Sequence, residues 1–301
     1  MDDSGKMFHS LKDAVASAFG EGVSITKKMA VSGGDINRAY LLLLSDGRKA
    51  FVKENTAANL DFFVKESAGL AAIRGMGVFD VPDTYGYGMD GSSSFLLMGA
   101  VESGRRIPDY YRDFGIRLAQ MHAKDCTILS GGRYGFIHDN YIGAGMQENA
   151  PEDTWVGFFR DRRLLPQFKR AEHYFDEQSS KAFGRLLERL DRILTEPARP
   201  ALLHGDLWSG NHMSGPDGKA WLIDPAVYVG HPEADIAMTE LFGGFPAAFY
   251  AGYYEQAGMA DGYEERRDIY NLYHLLNHLN LFGAEYLAPV MEIVWRYAGA
   301  K

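Results

Sequence analysis

The spacing of apolar positions along the 301-residue chain changes several times, and each change marks the start of a new element. Phe8, Leu11, Val15 and Ala18 recur at helical spacing until Gly20 and Gly22 interrupt them, which predicts a short N-terminal helix. Three β-prone segments follow, Val23–Val31, Ala39–Leu44 and Ala50–Lys53, separated by the turn-forming stretches Ser32-Gly33-Gly34-Asp35 and Ser45-Asp46-Gly47-Arg48. A meander is expected from them. Leu60, Phe63, Val64, Ser67, Leu70, Ala71 and Arg74 restore a helical period that Gly75 and Gly77 end. Two more strands are expected near Asp83–Tyr87 and Ser94–Val101.

Beyond Glu102-Ser103-Gly104 the character of the chain changes. Helical patterns cover 109–124, 152–169, 178–194 and 263–297. The natural division is therefore an N-terminal, β-rich domain over 1–102 with one main helix, and a larger, mainly helical domain over 103–301, with the boundary falling near 102–108. This is an α+β organisation without internal repeats or low-complexity tracts.

Composition narrows the classes. Hydrophobic residues make up 46% and charged residues 24%, the usage of a folded globular chain. The formal net charge of −9 repels phosphate backbones and anionic surfaces, so neither nucleic acid nor a membrane is an expected partner. Cys126 is the only cysteine, which excludes an intramolecular disulfide framework and a cysteine-based zinc cluster and suits a reducing cytoplasm. The first twenty residues hold Asp2, Asp3, Lys6, Lys12 and Asp13 and lack the apolar run of a signal peptide or a membrane span.

The strongest chemical signal is His204-Gly205-Asp206-Leu207-Trp208-Ser209-Gly210-Asn211, directly after the apolar stretch Ala201–Leu203. An Asp and an Asn five positions apart match the catalytic loop of phosphotransferases, in which the Asp accepts the proton of the attacking hydroxyl and the Asn ligates Mg²⁺. Downstream, the apolar Ala220-Trp221-Leu222-Ile223 ends in Asp224-Pro225, and a carboxylate there would complete the oxygen ligands that Mg²⁺ prefers. A helix cap or turn residue is the plain alternative for either Asp taken alone. Upstream, Phe51-Val52-Lys53 puts a Lys at a strand end, suited to the α- and β-phosphates of ATP. Glu66, thirteen residues on, is the expected partner of Lys53; Glu54 and Lys65 are the competitors if the register is wrong. Gly33 and Gly34, between the first two strands, would let backbone N–H groups approach phosphate or would simply form a hairpin turn.

Together these residues resemble the fructosamine kinase (ketosamine-3-kinase) family, relatives of the aminoglycoside phosphotransferases. The likeness runs through Tyr134-Gly135-Phe136, Trp155-Val156-Gly157-Phe158-Phe159 with Arg163-Leu164, Gly230–Met238 and Phe242-Gly243-Gly244-Phe245, and the Trp-Ser-Gly inside the catalytic loop is its discriminating part. The resemblance implies a protein-kinase-like two-lobe fold, ATP and Mg²⁺ as cofactors, and a ketosamine, free or protein-linked, as substrate. Phosphorylation at its 3-hydroxyl would lead to deglycation. By the same resemblance Asp206 is the base, Asn211 and Asp224 bind Mg²⁺, Lys53 contacts phosphates, and Glu66 orients Lys53. Met98, Gly99 and Val101 fall at the adenine-binding hinge, where Gly99 departs from the acidic residue often found there. Asp235 resembles the residue that supports the catalytic-loop backbone, His204 opens that loop, and Trp208 could stack on a sugar ring or pack as core. A kinase for another hydroxylated amine, such as an aminoglycoside or choline, is the nearest rival. A silent nucleotide-binding scaffold would lack the base or a metal ligand, and neither is lost here.

Other features have plainer readings. His274 and His278, four apart on a helix, lack a third ligand for zinc. The aromatic run Phe245, Phe249, Tyr250, Tyr253, Tyr254 is expected in the core. Arg160, Arg162, Arg163 and Lys169 are expected on a solvated helix face.

Overall fold

The structure is a computed structural model that describes residues 5–31, 36–258 and 260–299. In chain order the strands are β1 (Met7–Phe8), β2 (Ile25–Val31), β3 (Arg38–Leu44), β4 (Lys49–Thr56), β5 (Thr84–Asp90), β6 (Ser93–Gly99), β7 (Asn140–Ile142), β8 (Gly145–Gln147), β9 (Ala201–Leu203), β10 (His212–Ser214), β11 (Ala220–Leu222) and β12 (Tyr228–Gly230). The helices are α1 (Leu11–Phe19), α2 (Leu60–Gly75), α3 (Tyr110–His122), α4 (Trp155–Phe158), α5 (Leu165–Arg170), α6 (Glu177–Leu187), α7 (Leu190–Ile193), α8 (Glu233–Leu241), α9 (Ala247–Ala257), α10 (Tyr263–Phe282) and α11 (Leu287–Tyr297). They fall into two compact units, Met1–Tyr110 with His212–Pro225, and Tyr111–Asn211 with Ala226–Lys301.

The first unit is built on a six-stranded sheet in the order β1-β5-β6-β4-β3-β2. Its register follows from local chemistry. At the β3–β4 turn Asp46 Oδ1 accepts from the Arg48 N–H at 3.0 Å, and Gly47 takes the left-handed φ of 86° that closes the hairpin. Strand alternation then sorts the side chains. Leu42, Leu44, Ala50, Val52, Phe95 and Leu97 face α1 and form a core with Leu11, Ala14 and Val15. Lys53, one residue past Val52, is consequently directed to the other face, the side covered by α2. Helix α2 buries Phe63, Ser67, Leu70 and Ile73, a single stripe at helical spacing. The β10–β11 hairpin belongs to this unit although it lies about a hundred residues downstream: Gly104 and Ile107 donate to the carbonyls of Gly215 and Gly218, each at 3.0 Å, and Leu222 donates to Asp80 at 3.1 Å.

The second unit is mainly helical. Strands β9 and β12 pair in antiparallel register, Tyr228 opposite Leu203, and β7 and β8 form a short hairpin. Helix α10 packs against α8, α5 and α11.

Several expectations are refined by tertiary context. Phe8 begins no helix; it pairs in parallel with Gly88 in β1, and Ser10 caps α1 two residues later by accepting from Asp13 N. The helical pattern over 263–297 is two helices, because Gly283 at φ 103° ends α10 before a 3₁₀ turn at Ala284–Tyr286. The pattern over 152–169 is divided by a π-helical stretch, Phe159–Leu164. Arg163 in that stretch is not on a solvated face but wholly buried, because the wider π turn rotates it inward among aromatic rings. Among the described residues no helix is long and apolar enough to cross a membrane.

Candidate active site

In the first unit the sheet and α2 bring three predicted residues together. Lys53 Nζ lies 2.5 Å from Glu66 Oε1 and 2.5 Å from Asp224 Oδ1, with the Lys53 and Glu66 side chains only 10% and 13% exposed. The competing pairings are resolved by the same geometry: Glu54 pairs with Lys28 at 2.5 Å, and Lys65 lies 4.0 Å from Asp61 on its own helix. Burial works against the Lys53 ammonium, but the carboxylates of Asp224 and Glu66 outweigh it and hold its pKa above the ordinary lysine value. Burial raises the pKa of Glu66, Lys53 opposes that rise, and the like charge of Asp224 adds to it. Asp224 sits just past β11 at φ 53°, a left-handed conformation that costs a non-glycine residue about 1–3 kcal/mol and often marks functional sites. That turn takes the carboxylate out of the strand's alternation and points it at Lys53.

Gly33 and Gly34 lie outside the described residues. Met98 and Gly99 end β6, and the Gly99 N–H is already taken by the Asp83 carbonyl at 2.8 Å. Val101 follows the strand and is partly buried.

In the second unit β9 is buried throughout and delivers the chain to His204, whose ring is also buried. Two carboxylate oxygens of Asp235, on α8, secure the start of the loop: Oδ2 accepts from His204 N at 2.7 Å and Oδ1 from Gly205 N at 2.9 Å. Burial disfavours a charged Asp235, yet these bonds and the imidazole of His122 hold its pKa below the usual carboxylate value. Gly205 turns at φ 80° with the Ala226 carbonyl so close that no side chain would fit. His204 Nδ1 accepts from Asp206 N at 3.3 Å. At the far end Asn211 Nδ2 donates to Asp206 O at 2.8 Å and to Asp206 Oδ2 at 2.9 Å. Asp206 and Asn211 are thus fixed to each other, and because Nδ2 is used in this way, the amide oxygen is the atom that Asn211 could offer to a cation. Trp208 is 38% exposed and its ring covers Gly210, where a Cβ would collide with the indole.

His122, at the end of α3, was not predicted. Its Nε2 is 3.2 Å from Asp235 Oδ2 and its Nδ1 2.9 Å from the Tyr253 hydroxyl. Nothing in its own neighbourhood distinguishes it from any histidine in a helix; only the fold brings it to Asp235. Among the described residues no three His, Cys, Asp or Glu side chains gather into a metal site by themselves. Asp224 in the first unit and Asn211 in the second each carry a hard oxygen of the kind Mg²⁺ prefers.

The fructosamine kinase family model matches residues 7–298 of the chain. A Synechocystis protein named "Probable ketoamine kinase" is 38% identical over 291 residues, covering 95% of each chain. A chloroplastic protein-ribulosamine 3-kinase of Oryza sativa subsp. indica is 36% identical over 281 residues, 92% of this chain and 80% of the relative. A crystal structure from Haemophilus somnus with a provisional fructosamine-3-kinase name superposes with a TM-score of 0.86 at 28% identity, covering 96% of both chains. An aminoglycoside phosphotransferase in ternary complex with AMP-PNP and hygromycin B superposes with a TM-score of 0.64 at 17% identity, covering 96% of this chain and 99% of that one, a likeness of fold.

Proposed function

Because the chain belongs to the fructosamine kinase family, we propose that it transfers the γ-phosphoryl group of ATP to the 3-hydroxyl of a ketosamine, with Asp206 as the base. The observation that carries this reading is the buried Lys53 ammonium held by Glu66 and Asp224, the arrangement that phosphoryl transfer requires for gripping α- and β-phosphates. The names of the Synechocystis and Oryza sativa relatives point to ketoamines and to the 3-position.

The roles follow from each group's chemistry. Asp206 accepts the hydroxyl proton as the nucleophile forms, and its carboxylate is aimed by Asn211 while Asp235 fixes the backbone behind it. Lys53 neutralises phosphate charge, and Glu66 keeps the ammonium from collapsing wholly onto Asp224. Asp224 and Asn211 would hold Mg²⁺, which when bound would supply charge neutralisation at the transferred phosphoryl group. Gly99 has spent its N–H on Asp83, so adenine recognition falls to the backbone just beyond it, toward Val101. By their place in the sequence ahead of Lys53, Gly33 and Gly34 are assigned to the phosphates. The exposed indole of Trp208 offers an apolar face to the sugar, and the net charge of −9 favours a cationic amine.

The deciding experiment is Mg²⁺-dependent ATP consumption with fructosamine, ribulosamine and an aminoglycoside panel, followed by a 3-deoxy ketosamine. Turnover of the ketosamines but not of the 3-deoxy analogue is expected. Phosphorylation of the 3-deoxy analogue at another oxygen, or turnover restricted to aminoglycosides, would reject the assignment.

A further inference from the structure

The second unit contains a buried arginine that the chemistry above does not use. Arg163 is 0% exposed. Its guanidinium lies 4.0 Å from the centre of the Tyr228 ring, 4.5 Å from that of Phe158 and 5.5 Å from that of Tyr273. Among the described residues no carboxylate forms an ion pair with it, and its Nε has no hydrogen-bond partner. A cation held this way is costly, and an apolar side chain of similar volume would often fill the site with equal or better stability. What distinguishes arginine here is its fixed set of donors.

Those donors begin a directional chain of hydrogen bonds. Nη1 donates to the carbonyls of Glu148 at 2.6 Å and Arg162 at 3.0 Å, and Nη2 donates to Asn149 Oδ1 at 2.7 Å. Arginine can only donate, so Asn149 must turn its oxygen toward it. The Asn149 Nδ2 group then donates to Asn140 Oδ1 at 2.9 Å and to His138 O at 3.1 Å. With its oxygen engaged, Asn140 directs Nδ2 to Val227 O at 2.8 Å. Gln147 Nε2 donates to the same Asn140 oxygen at 2.8 Å and to Ala226 O at 2.9 Å, which leaves Gln147 Oε1 to accept from the Tyr273 hydroxyl at 2.7 Å. Asn140, Gln147 and Asn149 are all buried, so a reversed amide would leave groups unpaired away from water.

The chain of bonds ends at the backbone beside the catalytic loop. Ala226 N donates to His204 O at 2.9 Å, and the Ala226 carbonyl is the atom that closes over Gly205. We propose that Arg163 is a positioning residue for phosphoryl transfer: as a permanent donor it fixes the orientation of the Asn149, Asn140 and Gln147 amides, which hold Ala226 and Val227 where they seat His204 and Gly205, and through them Asp206. This rests on the reading of Asp206 as the catalytic base.

Asn149→Asp is the discriminating variant. It gives Arg163 a carboxylate partner, which favours folding, but it removes the Nδ2 donor, so Asn140 must reverse and set its oxygen against the Val227 carbonyl. The variant should melt within a few degrees of wild type, with kcat lowered at least about 10-fold and the KM for ATP within about twofold. Hydrogen exchange at the Ala226 amide should accelerate by at least about 10-fold. Gln147→Met, which removes the donors to Ala226 and Asn140, should behave alike and decides the matter by the same readouts if Asn149→Asp does not fold. Arg160→Met, at an exposed pair with Asp161, serves as the control with unchanged kinetics. Wild-type kcat in the two relay variants, unchanged Ala226 exchange, or a loss expressed in the KM for ATP alone would overturn the proposal. If wild type phosphorylates no ketosamine, the function assigned above fails, and the exchange measurement alone then supports or overturns the relay.

Discussion

Replacing Lys53 by Met tests whether the buried charges stabilise the fold or only serve the site. Lys53 and Glu66 are 10% and 13% exposed, whereas Asp224 is 45% exposed and can be hydrated without help. Lys53→Met therefore strands one group above all, the Glu66 carboxylate. Breaking a buried pair from one side costs about 3–5 kcal/mol, or on the order of 10 °C at roughly 2–4 °C per kcal/mol. The loss should depend on pH. Burial already raises the pKa of Glu66 and Lys53 opposes that rise; without Lys53 the folded-state pKa climbs further above its unfolded value. A carboxyl shifted in that direction destabilises the fold progressively as pH rises above the unfolded pKa. The deficit relative to wild type should thus be larger at pH 8 than at pH 5. In the double variant Lys53→Met/Glu66→Met no charge is stranded, so stability should return to within about 1 kcal/mol of wild type, while turnover remains abolished. Urea unfolding at the two pH values measures both effects. A double variant no more stable than Lys53→Met at pH 8 would refute the reasoning, as would an equal loss from Lys65→Met, whose ammonium lies 4.0 Å from Asp61.

Asp206→Asn keeps the shape of the side chain and should fold and bind Mg²⁺-ATP, with kcat reduced by roughly 10²–10⁴-fold because the base is gone; near-normal turnover in a coupled assay would contradict the assigned role. Gly205→Ala forces a Cβ into a left-handed turn against the Ala226 carbonyl, so a loss of more than about 1 kcal/mol is expected in thermal melts, together with lower kcat. His231 is kept neutral by burial, its pKa lowered to about 4, with Glu233 pulling up and Arg266 pushing down. The unfolded chain binds its proton more readily between about 4 and 6.5, so stability should fall as pH drops through that window, and His231→Gln should flatten a Tm-against-pH profile there.

The fold was legible wherever a single element carried its own period. Strands β2 to β6 and helix α2 fall close to the segments expected from alternation and helical spacing, the strands packing one face on α1 and α2 burying its own stripe against the other. The discrepancies occur where tertiary context overrides local pattern. Residues 263–297 keep an apolar stripe across Gly283, and only the cap shows that two helices share it. The basic cluster at 160–163 looks like a solvated face on a regular helix, but the π turn rotates Arg163 into the core while Arg160 stays outside. Spacing alone could not choose among Lys53, Lys65, Glu54 and Glu66. Strand parity does, since Lys53 opposes the face of Val52 and meets α2.

The residues that sequence motifs reveal and those that only the fold reveals divide by the kind of atom they act on. Asp206, Asn211, Asp224 and Lys53 are the residues proposed to act on nucleophile, metal and phosphate, and such groups must come in fixed types at set positions, which leaves a readable signature. Their supports act on backbone atoms, which every residue possesses, or on one another across the fold, so His122, Gln147 and Asn149 carry no local signature. The need for such supports is visible in two of the three places where the chain crosses between its units, directly after Asn211 and directly after Pro225. Each of these two lies beside a proposed metal ligand, where the chain continues into a different unit and so cannot rely on its neighbours in sequence for rigidity. Each ligand is therefore tied within its own unit, Asn211 to Asp206 and Asp224 to Lys53. Ala226, the first residue past the crossing at Pro225, is held by His204 on its N–H and by Gln147 on its carbonyl. With both backbone groups occupied it has little freedom to transmit slack into the loop at His204, and the buried cation of Arg163 orients the amides that hold its carbonyl.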